Sequence, residues 1–491
     1  MTIQAAVSGV PAYQSEVAKT LFEQQSILAT ELPNMARMTN PAYGFSPTRL
    51  SSGTEVLWIP DPAKLGVPFG SHMAPLWQNG LGLVLYRNIN AQCLGAIFIH
   101  GAMKTPWSAY GPDSWHALGG IMAFSGLTFE KAIEMVLGKG YAMTPKWRFI
   151  DRSLAAAGHN ALTHLGGGKA IFIHGPTEED KEKGVAVSAE VADKLGIYIS
   201  GPDQNMDDTW CEKFAKLAPR NFVGSGSNDV PEKYRGIKPS KHTARGVFRG
   251  VEVVCEELIG NKPPIFFEGY GGVGKVMVAL AIENRFPVSG LIDVLVEPLL
   301  GVQRTPIQTR LFLNANATEE QYGPQKREEE VAKANQNGIL VVKSLLEALQ
   351  LAPNTKILSP NAGPHPITMD VATYLVKAGV RAVVGAANNM LDLVDGSYEP
   401  IARLLMKGNV FVPNDSRINR IGALACMIDM IKLDRAVGLE LQFTQIGEDV
   451  REEIGAYRRE IPPQIYSDSL AAQDWNEALR EGRAIGGHFP E

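Results

Sequence analysis

The stretch Ile265-Phe-Phe-Glu-Gly269-Tyr-Gly271-Gly272-Val273-Gly274-Lys-Val-Met-Val-Ala-Leu-Ala-Ile-Glu-Asn284 decides the fold. An apolar run, Ile265–Phe267, meets a cluster of glycines, and a helical run rich in Val, Ala and Leu follows over Lys275–Asn284. Strand, glycine turn and helix in that order make a nucleotide cradle. The glycines permit a tight turn, close approach of backbone to a pyrophosphate, and close packing of helix on strand, with the helix N-terminus facing the phosphates. Nineteen residues past Gly274, Asp293 stands in the next apolar run, where a carboxylate is expected to bond a ribose 2′-hydroxyl; Glu297 is its rival. Such a carboxylate repels a 2′-phosphate, so NAD is expected as the cofactor. Arg285, on the preceding helix, leaves NADP open.

Outward from this motif the chain alternates. Strands are predicted at Ile265–Glu268, Leu291–Val296, Ile339–Val342, Lys356–Leu358, Arg381–Val384 and Val410–Val412, and helices at Ser344–Leu349 and Met369–Ala378. Crossover helices of this kind imply a parallel sheet covered on both faces. A second series precedes it, with strands at Ala96–His100, Ala170–His174 and Gly196–Ser200 and helices at Phe129–Leu137 and Val185–Leu195. The hexapeptide AIFIHG occurs twice, 74 positions apart, with unmatched flanks, which reads as two similar buried strands and not as a duplication. The expectation is an α/β chain of two domains separated by a cleft, an N-terminal α/β substrate domain and a Rossmann dinucleotide-binding domain. Residues 1–90 read as an extension with a helical stretch at Glu16–Leu28. The substrate domain takes 91–235, with a polar linker over Gly224–Lys241. The Rossmann domain takes 236–425, and 426–491 is helical and returns to the first domain.

Composition excludes several classes. At 491 residues and 45% hydrophobic, the chain has material for two or three domains and their cores. A formal charge of −5 with no one-sign block argues against nucleic acid. Cys93, Cys211, Cys255 and Cys426 are scattered, without zinc spacing, and read as buried thiols; no metal is expected. The uncharged run Leu65–Tyr86 is broken by Pro68 and Pro75, so no membrane span is expected. The first residues lack the basic start of a secretory signal, and the cytoplasm is the expected compartment.

Two further features carry chemistry. Leu165-Gly-Gly-Gly-Lys169 leads straight into a strand, where burial would depress the lysine pKa and let the amine polarise a carbonyl or activate a water. Gly201-Pro-Asp203 follows another strand, and carboxylates at strand ends in open sheets often face the ligand crevice. Taken alone, each also fits a solvated loop lysine or a capping aspartate.

Together with other blocks in the same order, these features resemble the glutamate/leucine/phenylalanine/valine dehydrogenase family. Ala117-Leu-Gly119-Gly120-Ile121 is similar to its ALGG segment, Leu165–Lys169 to its LGGGK, and Gly201–Asp203 to its APD block. Ser240-Lys-His-Thr243-Ala-Arg-Gly246-Val247, Ser359-Pro-Asn-Ala362 and Gly385-Ala-Ala-Asn388-Asn389-Met-Leu391 also resemble family runs. The resemblance implies reversible oxidative deamination of an amino acid or amine by a homo-oligomer. It assigns carbonyl polarisation to Lys169, acid–base work to Asp203, placement of the nicotinamide end to Thr243 and Asn388, and the substrate amine to Asn389. The chain departs from the pattern where the α-carboxylate clamp belongs. His159, in Ala157-Gly-His159-Asn160, or Lys146, reaching in across an insertion, is expected to supply it. Met122 replaces the arginine after ALGG. Ala423 and Cys426 match the side-chain specificity positions, and their small apolar side chains imply an apolar or aromatic substrate.

Overall fold

A computed structural model describes residues 50, 52–59, 81–106, 114–160, 162–224, 239–302, 309–363, 365–395 and 397–486. The predicted helix at Glu16–Leu28 and most of the predicted linker lie outside them.

The first sheet has eight strands: β1 (Glu55–Ile59), β2 (Gly82–Asn88), β3 (Cys93–Ile99), β4 (Gly101–Lys104), β5 (Trp115–Phe124), β6 (Gly166–Ile173), β7 (Tyr198–Pro202) and β14 (Ala484–Gly486). They run in the order β1-β2-β3-β6-β5-β4-β14, with β7 beside β5. The first two strands correct the reading of residues 1–90 as an extension, since both belong to this sheet. In β2 every residue is buried, so the alternation that marks a half-buried strand is missing. The two AIFIH runs lie side by side and antiparallel in β3 and β6, with Phe98 opposite Lys169. Side chains of alternating residues fill separate apolar layers on the two faces of the sheet. Helix α1 (Phe129–Ala156) is capped by the Thr128 hydroxyl and runs well past the predicted end at Leu137. Helices α2 (Glu178–Leu195) and α3 (Asp208–Leu217) follow the strands β6 and β7.

The second sheet is parallel throughout. Its strands β8 (Ile265–Glu268), β9 (Val288–Asp293), β10 (Arg310–Asn314), β11 (Leu340–Val342), β12 (Ile357–Pro360) and β13 (Ala382–Val383) take the order β11-β10-β9-β8-β12-β13. The chain builds outward from β8 to β11, then returns to the other side of β8 with β12. That reversal opens a crevice at the C-terminal ends of β8 and β12, where open α/β sheets bind nucleotides. Strand β10 was not predicted, and Val410–Val412 forms only an isolated bridge to β13 through Phe411. Helix α4 (Pro239–Val254) leads in, and helix α5 (Gly272–Glu283) opens at the glycine motif.

The C-terminal helices α6 (Arg420–Met427), α7 (Arg435–Arg458) and α8 (Pro463–Arg480) tie the two halves together. Helix α7 packs on α4 and α8 on α1, and β14 pairs with β4. Arg420, fully buried, donates to Asp449 on α7, to Gln442 Oε1 at 2.6 Å and to Ser153 Oγ of α1 at 3.2 Å. A buried guanidinium on α6 satisfied by partners on α7 and α1 fixes their relative placement, because breaking one partner leaves an uncompensated charge. All four cysteines are free and buried. No described helix is long and apolar enough to cross a membrane.

Candidate active site

The glycine motif adopts the geometry its spacing implied. Gly269 has φ +87°, and a Cβ there would lie 2.7 Å from Ala362 Cβ, across the crevice at the end of β12. At Gly274 a Cβ would lie 2.0 Å from Gly269 O, so only glycine lets α5 pack this closely. A Cβ at Gly271 would meet nothing within 4 Å, and the helix N-terminus with Gly272 and Val273 opens onto that space. An open, glycine-lined helix N-terminus at a switch point fits a dinucleotide diphosphate. Asp293, at the end of β9, accepts the Tyr270 N–H of the loop, and its other oxygen accepts the N–H groups of Val294 and Leu295 at 2.8 and 3.0 Å. It therefore braces the turn. Thr243 of α4 is half-buried, its hydroxyl against Gly422 of α6.

Opposite the crevice, the buried Lys169 of β6 and the partly buried Asp203 after β7 form an ion pair through Asp203 Oδ2. Gly119 and Gly120 of β5 make this approach possible. A Cβ at Gly119 would strike Gly168 O at 1.7 Å, and one at Gly120 would stand 2.7 Å from Asp203 Cβ. Tyr198 fixes the same strand by donating to the Gly119 and Gly120 carbonyls at 2.9 and 3.2 Å. Burial pushes the Asp203 carboxyl up, but the Lys139 and Lys169 amines and the Gln204 N–H more than offset it and hold it well below the usual carboxylate range.

Helix α1 brings two more amines. Lys139 and Lys146 stand seven residues apart, two turns along one face. Lys146 is buried and donates to Asn388 Oδ1 at 2.9 Å, bridging from the first domain to the second. Burial lowers its pKa to about 8, against the opposing pull of Asp415. Lys139 donates to Gln204 Oε1 at 2.8 Å, touches Met122 Sδ at 3.3 Å and lies 3.9 Å from Asp203 Oδ1. The amine of Lys139 thus abuts Met122, the residue that replaces the family's arginine. Further bonds cross the same gap: Gln204 Nε2 donates to Ala362 O at 3.2 Å, and the Asn389 side chain donates to Gly138 O. Asn389 holds φ +52°, with its N–H on Asp415 Oδ2 at 3.0 Å.

His159 is the clear correction among the predicted site residues. It lies beyond the C-terminus of α1, its N–H on Leu154 O at 2.9 Å. At about 1.5 Å of rise per residue that is roughly 20 Å along the helix from Lys146. The longer helix is the physical reason, because it carries the segment around His159 well past Lys146. Asn388 accepts from both Lys146 and Asn419, the latter at 3.0 Å, so its amide oxygen is already used. Cys426 is buried near Lys169 and beside Gly224, while Ala423 is partly buried and packs on the first-domain core.

Sequence reasoning missed Lys139, Gln204, Glu268 and Asp415. Lys139 could have been found from its helical spacing to Lys146. Glu268 closes β8 one residue before Gly269, and its Oε2 accepts the N–H groups of Asn361 and Ala362 at 3.1 and 3.2 Å. Burial raises its pKa to about 7, Asp293 adding to the rise.

The chain is similar in structure to the hetero-hexameric glutamate dehydrogenase from Thermus thermophilus in its Leu-bound form, at 17% identity and TM-score 0.55, over 97% of this chain and 98% of that one. It is similar also to the glutamate dehydrogenase of Plasmodium falciparum, at 12% identity and TM-score 0.51, over 97% and 99%. An L-tryptophan dehydrogenase from Nostoc punctiforme matches at 20% identity and TM-score 0.46, over 79% and 94%. No family model and no curated protein matches the sequence. The chain has the two-domain fold, with a Rossmann domain, of these glutamate dehydrogenases.

Proposed function

We propose that this protein is a divergent amino-acid dehydrogenase. It carries out reversible NAD-dependent oxidative deamination of an amino acid or amine with an apolar or aromatic side chain. One observation carries the reading: the Lys169–Asp203 pair stands across a crevice from an open glycine-lined helix N-terminus, with a second buried amine, Lys146, beside it. A mere nucleotide binder needs none of these three charges in its interior, where unpaired ions are costly.

Lys146 takes the role of the α-carboxylate clamp. Its ammonium is desolvated and anchored by Asn388, so it can exchange that partner for a substrate carboxylate. Lys169 polarises the carbon–oxygen bond that forms as water adds, and stabilises the developing oxyanion. Asp203 moves protons between water and the substrate nitrogen. Bound NAD supplies the hydride acceptor for the substrate α-carbon. Gly269, Gly271, Gly272, Val273 and Gly274 hold its diphosphate, Asp293 its ribose, and Thr243 and Asn388 its nicotinamide end. The small side chains of Ala423 and Cys426 receive the substrate side chain. Assembly as a homo-oligomer is part of the same reading.

The test is NADH formation with a panel of amino acids and matching amines, with ammonia assayed alongside. Equimolar NADH and ammonia with apolar or aromatic amino acids is the expected result. NADH without ammonia would show a dehydrogenase acting on another class of substrate, and no NADH with any amine would refute the reading.

A further inference from the structure

Asp203 is bracketed by two amines, one on each oxygen: Lys169 at Oδ2 and Lys139 at Oδ1. A single lysine suffices to hold a carboxylate ionised, and Lys139 has a different setting from Lys169. It is buried in α1, and its nitrogen rests between the Gln204 amide oxygen and the Met122 sulfur. Neither neighbour neutralises a charge. Moving from Gln204 to hydrogen-bond distance of Asp203 Oδ1 takes a swing of roughly 1 Å.

The deamination proposed above releases one proton per hydride, and a carboxyl held as firmly ionised as Asp203 is a poor store for it. We propose that Lys139 is the proton reservoir of the site, exchanging one proton with Asp203 in every turnover. In the deamination direction the substrate ammonium loses a proton to Asp203, breaking N–H and forming O–H. Asp203 then passes it to the neutral Lys139 amine, which becomes an ammonium and releases it to water when the site opens. No electrons move in this relay, and one proton leaves, as the reaction requires. The groups facing Lys139 set its readiness. Burial lowers its pKa to about 8, Asp203 just after β7 and Glu268 on β8 oppose the drop, and Lys169 on β6 adds to it. Lys146, on its own helix, is a further cation nearby. Lys139 acts through Asp203 and is a positioning residue, not a group that touches substrate.

This inference rests on the dehydrogenase reading. The test measures kcat/KM for deamination against pH in the wild type, Lys139→Met and Lys139→Arg. In parallel, pulse acetylation of the whole protein with acetic anhydride, mapped by mass spectrometry, gives the Lys139 titration midpoint. The wild type is expected to gain activity through pH 8. Arginine keeps the charge but cannot deprotonate, so Lys139→Arg should fold normally, lose about 10²-fold or more in rate, and lose the inflection. Lys139→Met should lose the inflection as well. The acetylation midpoint should lie near 8 and rise in Lys169→Met. An arginine variant with wild-type rate and an unchanged inflection overturns the relay, as does an acetylation midpoint at the ordinary lysine value. A wild type that forms no NADH with any amine refutes the dehydrogenase reading, and the relay falls with it.

Discussion

Gly120→Ala tests whether the site depends on the close approach of β5 to Asp203. Gly120 pairs with Gly201 in the parallel register of β5 and β7, and its added Cβ would stand 2.7 Å from Asp203 Cβ, 3.0 Å from Asp203 Oδ2 and 3.1 Å from Pro202 O. Ordinary contact begins near 3.4 Å, so the carbon pair must part by roughly 0.7 Å. The strand backbone is held on both sides, so the displacement falls on the Asp203 side chain. Both of its oxygens face amines, and a shift of that size breaks their alignment. Misplacement of a reacting group by about 1 Å can cost roughly 10²-fold. The expectation is therefore a fall in kcat of about 10- to 100-fold, or about 1.4–2.8 kcal/mol of transition-state stabilisation. Overpacking should also lower stability by about 1–3 kcal/mol. Dinucleotide affinity, measured by titration calorimetry, should not move, because Gly120 lies outside the Rossmann domain. Initial rates of NADH formation at saturating substrate read the first effect. A Gly120→Ala protein with wild-type kcat, or one that loses only dinucleotide affinity, would refute the reasoning.

Three further outcomes follow from the geometry. Asp293→Ser should weaken NAD binding and narrow the preference for NAD over NADP, read as the ratio of kcat/KM values; a wild type that strongly prefers NADP would show the ribose assignment to be wrong. Ala423→Leu should impair bulky substrates first and spare smaller ones, and efficient turnover of glutamate by the wild type would overturn the apolar pocket, since an unpaired carboxylate buried there costs several kcal/mol. Glu453 is fully buried, and burial raises its pKa to about 8 despite Arg417 and the Ser467 hydroxyl. Between the unfolded value of about 4.3 and 8, the folded protein holds a proton that unfolding releases, so stability is full below that range and falls as pH rises through it, by at most about 1.4 kcal/mol per pH unit. Glu453→Gln removes this loss, and its Tm relative to the wild type should climb from pH 5 to pH 8; a flat difference would contradict the assignment.

The cofactor half was legible because its constraints are local. Gly269, Gly271 and Gly274 answer to one turn and one helix, and their spacing can be read without the rest of the chain. Lys169 and Asp203 were legible as strand-end residues, and the fold brings them together. The substrate side was harder because it depends on the length of α1. His159 became a candidate through the resemblance of Ala157–Ala161 to a family run, and ending the helix at Leu137 left Lys139 and Lys146 off it, while the observed helix carries both amines inward. Pro145, which argues for a helix end, is tolerated within it. β1 and β2 were hidden for a different reason: a strand buried on both faces shows no alternation.

The most direct test of the account uses a substrate from the panel carrying deuterium on its α-carbon, with the NADH formed analysed by mass spectrometry. In the proposed function Lys169 and Asp203 act on the carbon that gives up hydride to the nicotinamide, which predicts one deuterium in each NADH and an equal amount of ammonia. Unlabelled NADH would contradict it.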